Sequence, residues 1–161
     1  MTAPATASQA PRSWLGLLPF AAAVAIVAVV GGLAAGSSAE TYRALDLPPF
    51  APPSWLFGPV WTVLYVMIAV AGWLAWRAGA GAAAIGAWVV QLLLNLAWTP
   101  LFFAADRYGW ALVDIVVLSA AIVAVIALFA RVSRPAAWLL APYLLWVGFA
   151  TALNLGIVLL N

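Results

Sequence analysis

In the run QLLLNLAWTPLFF, Gln91, Asn95, Trp98 and Phe102 fall at i, i+4, i+7 and i+11, one face of a helix. Hydrocarbon offers an amide no hydrogen-bond partner, so that face has to turn inward, away from lipid. Tyr143, Trp146, Ala150 and Asn154 also recur at helical spacing. Gly58, Trp61, Tyr65, Ala69 and Gly72 form a third stripe, aromatic at one end and small at the other. Three aromatic faces, each with one or two polar handles, are the usual make-up of a site for an apolar small molecule. Rings provide stacking surface, and Asn95 and Tyr65 are the expected hydrogen-bond donors. Taken singly, each residue has a plainer use: intramembrane amides tie helices together, and Trp near a helix end joins the interfacial belt. The coincidence of three stripes favours the site.

Other chemistries are excluded or weak. The chain has no Cys and no His, which removes thiolate catalysis, the usual zinc sites and a histidine-ligated haem. No metal site and no required cofactor are expected. Asp114 lies inside an apolar segment, where an acid is a functional candidate by default. It is also near a helix start, where solvent or the helix dipole would hold it. A lone carboxylate without a partner base is a poor acid–base pair.

Only 6% of the 161 residues are charged and 68% are hydrophobic, against roughly 25% charged in soluble domains. The fold class that follows is an all-α integral membrane protein. Residues 1–13 read as a disordered tail. Five apolar segments follow, over 14–36, 55–76, 82–103, 108–130 and 136–160, each near the ~20 residues that cross a bilayer. Short connections make consecutive segments antiparallel neighbours. The first segment has a rival reading as a cleaved signal peptide, with Arg12 before it and SSAE after it. Its apolar stretch is long for that role, and Ala21, Ala25, Ala28, Gly32 and Ala35 recur at a spacing suited to packing on another helix. Pro100 and Pro142 are expected to kink their helices or mark their ends.

Arginine placement orients the bundle. Arg12, Arg77, Arg131 and Arg134 share one side without an acid, while Arg43 and Arg107 share the other with Glu40, Asp46 and Asp106. The positive excess predicts the N-terminus inside and the C-terminus outside. Such scattered charge is no nucleic-acid footprint. The long first connection carries prolines at 48, 49, 52 and 53, which stiffen it into extended backbone. Tyr42, Phe50, Pro52 and Pro53 are therefore expected to form a lid over the outer mouth.

The stretches PPFAPPSWLFGPVWTVLY, QLLLNLAWTPLFF, GWALVD and APYLLWVGFATALN resemble, in order, the signatures of the translocator protein family. Its bacterial members are called tryptophan-rich sensory proteins and its mitochondrial members peripheral benzodiazepine receptors. The resemblance runs from Tyr42 to Asn154. It implies a five-helix bundle, commonly a homodimer among membrane lipids, that binds porphyrins such as protoporphyrin IX. The family's pocket positions fall on Trp61, Asn95, Trp98, Trp146 and Ala150, all members of the stripes. Two further functions come with the family: light-dependent porphyrin degradation, for which Trp61 and Trp146 would serve, and transport of sterols or other lipophilic ligands. There are departures. Phe50 stands where Trp is usual, and Asp106 followed by Arg107 replaces a basic residue. The ending NLGIVLLN lacks the aromatic and basic pair of the cholesterol pattern. Porphyrin is the preferred ligand, with Arg43 or Arg107 pairing with a carboxylate.

Overall fold

The computed structural model describes residues 14–36 and 38–161; the tail read over residues 1–13, with Arg12, lies outside them. Among the described residues every regular element is helical. Five spans are long and apolar enough to cross a membrane: Trp14–Ala35, Ser54–Arg77, Ala82–Ala104, Tyr108–Ala130 and Arg134–Leu160. The helices are α1 (Leu17–Ala35), α2 (Ser38–Ala44), α3 (Phe57–Arg77), α4 (Ala82–Thr99), α5 (Tyr108–Ala130), α6 (Arg134–Leu139) and α7 (Ala141–Leu160). Loop one is the stretch from α2 to α3.

Two prolines shape the spans. Pro100 has no N–H to give to the helix, and its ring crowds the preceding turn. The chain answers with a wider, π-helical turn over Pro100–Ala104, closed by Ala105 N–H donating to the Pro100 carbonyl at 2.9 Å. The last span, expected as one helix over 136–160, starts at Arg134 and breaks at Leu140. The Ser133 hydroxyl oxygen caps α6 by accepting from Ala136 N–H at 3.4 Å. Pro142 stands in the first turn of α7, where a missing N–H is no loss.

The small residues expected to pack α1, Ala21, Ala25, Ala28, Gly32 and Ala35, are not its buried ones. Ala21 and Ala25 are exposed, and the buried face is Phe20, Val24, Val27 and Gly31. Larger side chains bury more apolar area per position, so they win the contact with α3 and α4. At the α6 end of the bundle that contact is close. Gly16 lies against the Trp76 ring, and Phe20 meets Trp88 edge-on with centroids 5.2 Å apart. A Cβ on Gly72 would stand 2.8 Å from Phe20 Cδ1 and 2.8 Å from Trp88 Cε2. Trp88 fills that missing side chain's place and donates from Nε1 to the Ile68 carbonyl, one turn earlier on α3, at 3.1 Å.

The ten tryptophans divide by place. Trp14 and Trp138 at one end, and Trp55 and Trp110 at the other, are exposed like interfacial belts. Trp73 carries the Arg77 guanidinium over its ring at 4.8 Å. Trp61, Trp98 and Trp146 turn inward near the loop-one end.

Loop one is strapped down. The buried Tyr42 hydroxyl donates to the Pro52 carbonyl at 3.0 Å, and burial raises its phenol above the ordinary value. Asp46 N–H donates to Asn161 Oδ1 at 3.1 Å, and Asn161 Nδ2 donates back to the Asp46 carbonyl at 3.0 Å. Pro48 packs on Gly156 of α7, where a Cβ would meet its Cγ at 3.0 Å. Phe50 leans on Phe149, centroids 6.3 Å apart.

Candidate functional site

A cavity of about 360 Å³ lies inside the loop-one half of the bundle. That is within the roughly 300–1,000 Å³ of small-molecule pockets. The stripes on α3 and α4 supply Gly58, Trp61, Tyr65, Asn95 and Trp98, and α7 supplies Trp146 and Ala150. Tyr42 closes the wall from α2, while Phe50, Pro52 and Pro53 stand off it.

Three expected wall residues lie behind the wall. Phe102 stacks on the Trp98 ring, centroids 4.9 Å apart and planes 27° from parallel, and is buried beside Tyr42 and Leu153. The π-helical turn is the reason. It adds a residue to the turn, so the cavity face passes from Trp98 to Phe103 instead of Phe102. Tyr143 is fully buried, and Asn154 is almost so. Both are engaged in holding other side chains.

Those bonds form a chain whose direction is fixed. Gln91 Nε2 donates to the Trp88 carbonyl at 2.9 Å. A carbonyl can only accept, so Gln91 must turn its oxygen to Tyr143, whose hydroxyl donates to it at 2.9 Å. Having given its only hydrogen, the Tyr143 oxygen accepts from Asn95 Nδ2 at 3.2 Å. That leaves Asn95 Oδ1 toward Tyr65, which donates to it at 3.0 Å. One backbone carbonyl thus orients four side chains on three helices. Tyr65, expected as a donor to ligand, has its hydrogen engaged and meets the cavity as an acceptor. Asn95 keeps one N–H.

A second relay holds Trp98. The Tyr108 carbonyl accepts from Asn154 Nδ2 at 3.0 Å, which turns Asn154 Oδ1 to the Trp98 indole N–H at 3.2 Å. Asn154 therefore sets the tilt of an aromatic wall from behind. Trp146 differs, for its indole nitrogen is buried without a hydrogen-bond partner.

No charged side chain among the described residues lines the cavity. Arg107, offered as a carboxylate partner, lies in a separate shallow cleft with Trp110 and Asn161. Arg43 follows Tyr42 on α2 and is exposed. Asp114 precedes the wall residue Ile115, and its Oδ2 is buried without a partner. Among the described residues no three His, Cys, Asp or Glu side chains gather to hold a metal. The arrangement suits reversible binding of a flat apolar molecule.

Sequence reasoning missed the α1 wall, formed by Ala28, Gly31, Gly32 and Ala35. Its signal was present as small residues at helical spacing, which mark a close helix contact and a hollow equally well. Ile115 and Leu118 of α5 also line the cavity, and nothing in their type separates them from lipid-facing neighbours.

Residues 20–160 match the TspO/MBR family. The human translocator protein is 37% identical over 147 residues, 88% of this chain and 87% of that one. The tryptophan-rich protein TspO of Chlorobaculum tepidum is 43% identical over 127 residues, 74% of this chain and 78% of its own. The tryptophan-rich sensory protein of Cereibacter sphaeroides is 32% identical over 148 residues, 92% of each chain. The family match takes in nearly all of α1, which the quoted signatures did not reach. The five spans, the aromatic cavity between them and relatives of this similarity lead to one conclusion: the chain belongs to the TspO/MBR family.

Proposed function

We propose that this membrane protein binds porphyrins of the protoporphyrin IX type in the cavity described above, as a tetrapyrrole carrier or sensor. The carrying observation is a neutral wall with three tryptophans and no charged side chain. Such a wall accepts the face of an apolar macrocycle and leaves no place for its acid groups. Those groups then lie at the loop-one end, where Arg43 can pair with a carboxylate. Relatives named for translocation and for sensing fit this reading, since both tasks need reversible binding.

Trp61 and Trp146 are the variants of choice, because Trp98 also bonds to Asn154 and its loss would disturb packing. Each stacking aromatic contributes on the order of 1 kcal/mol, or about fivefold in affinity. Trp61→Ala and Trp146→Ala are expected to weaken protoporphyrin IX quenching of tryptophan fluorescence by that factor, with the belt variant Trp14→Ala unchanged. Wild-type affinity in both, with normal elution in detergent, would defeat the assignment.

We propose further that the α6 end faces the cytoplasm. Arg77, Arg131 and Arg134 gather there, whereas Arg43 and Arg107 share the loop-one end with Glu40, Asp46 and Asp106, and positive loops stay inside. The chain has no Cys, so single variants label cleanly. An impermeant thiol reagent applied to intact cells should reach Asp46→Cys and spare Arg134→Cys; the reverse pattern inverts the topology.

A further inference from the structure

The cavity wall is uneven in its exposure. Its members on α4, α5 and α7 are buried or half-buried, whereas Gly32 on α1 and Gly58 and Thr62 on α3 are exposed. These three lie on the two helices that meet closely at the α6 end, through Gly16 on Trp76 and Phe20 on Gly72. Pinned there, α1 and α3 have the cavity between them at the loop-one end. The surface beside the exposed members is apolar, with Val29, Leu33, Val63 and Val66 all exposed. The Thr62 hydroxyl donates to the Gly58 carbonyl at 2.9 Å, so this lip brings no unpaired donor to hydrocarbon.

The end of the bundle is built differently. Loop one crosses it under the Tyr42–Pro52 bond, the paired Asp46–Asn161 bonds and the seat of Pro48 on Gly156. Entry past loop one would break several of these together, whereas entry between α1 and α3 breaks none of them.

We propose that the seam at Gly32, Gly58 and Thr62 is a lateral portal, through which a lipophilic ligand passes between the bilayer core and the cavity while loop one stays fastened. The inference rests on the cavity being a ligand site. It changes loop one from a lid into a fixed end wall, and it makes the partner phase lipid instead of water. Absent side chains at positions 32 and 58 keep the seam open: a Cβ built at either would meet nothing within 4 Å. The first carbon of a larger residue there meets no neighbour, and normal elution and melting of the variants in detergent check that the fold is kept.

The test uses the full-length protein in phosphatidylcholine vesicles, with protoporphyrin IX already dissolved in the lipid of a second vesicle population. Tryptophan quenching is followed by rapid mixing and, separately, at equilibrium. Gly32→Phe and Gly58→Leu are expected to slow both association and release, by about tenfold, within the range over which mutants of one site alter association rates; a loss of wall contacts alone, at residues that also line the cavity, would speed release instead. Asn161→Ala, which unfastens loop one, is expected to leave both rates as they are. Wild-type rates in the two glycine variants, or weaker affinity with unaltered association, would overturn the portal. Faster binding in Asn161→Ala would place the route at loop one instead. Absence of quenching in the wild type would defeat the ligand-site reading itself, and the portal with it.

Discussion

Gly72→Ala is expected to destabilise the bundle by roughly 2–4 kcal/mol, combining the overpacking penalty with loss of a buried hydrogen bond. The added carbon would stand 2.8 Å from both Phe20 and Trp88, and neither ring can retreat easily. Trp88 is held by its bond to the Ile68 carbonyl, and Phe20 is braced by Trp76, centroids 6.2 Å apart. Admitting the methyl group means tilting the indole off that carbonyl, which leaves a buried N–H and strains the joint between α1, α3 and α4. Gly148→Ala is the matched control, since a Cβ there meets nothing within 4 Å and alanine favours the helix. Thermal unfolding in detergent should show a large drop for the first and none for the second. Equal melting temperatures would mean the joint is looser than its geometry states.

Tyr143→Phe is the second large effect, in the range of about 1–3 kcal/mol for buried groups left unpaired. Removing one oxygen strands Gln91 Oε1 and an Asn95 N–H together. Tyr143 is fully buried, so both groups lose their partner away from bulk solvent. Measured intramembrane hydrogen bonds average about 0.6 kcal/mol and reach about 1.7, so the stability loss belongs in the lower half of that range if the stranded groups find other partners. Tyr65→Phe removes only the cavity-side terminus of the same chain and should cost less stability. A larger loss from Tyr65→Phe than from Tyr143→Phe would contradict the order of bonds that runs back to the Trp88 carbonyl.

The inward faces of α3, α4 and α7 were legible in the sequence because amides and aromatics at helical spacing have few uses in lipid. Periodicity alone does not say what an inward side chain meets. Tyr143 and Asn154 satisfy the same pattern as Trp146, yet they meet polar partners on other helices while Trp146 meets a hollow. Phe102 was assigned by an α-helical count that fails once Pro100 opens a π-helical turn, and one extra residue passes the position to Phe103. On α1, the packing face went to Phe20, Val24, Val27 and Gly31, and Ala21, Ala25 and Gly32 were left exposed. The strap between Asp46 and Asn161 has no local signature, since each residue alone reads as an ordinary end-of-helix polar group.

That strap also bears on how the protein is made. It joins positions 115 residues apart, and contacts of such separation close slowly because the chain between them must first be ordered. Synthesis delivers the N-terminal helices first, so α1 and α3 enter the bilayer before α7 exists to support loop one or to contribute Trp146. During translation the nascent bundle has a cleft but neither its final wall nor its fastened end. A molecule that binds only the finished cavity stabilises the completed chain over every earlier intermediate. Supplied in the membrane during expression, it should raise the yield of fully assembled protein and do nothing for chains halted before α7.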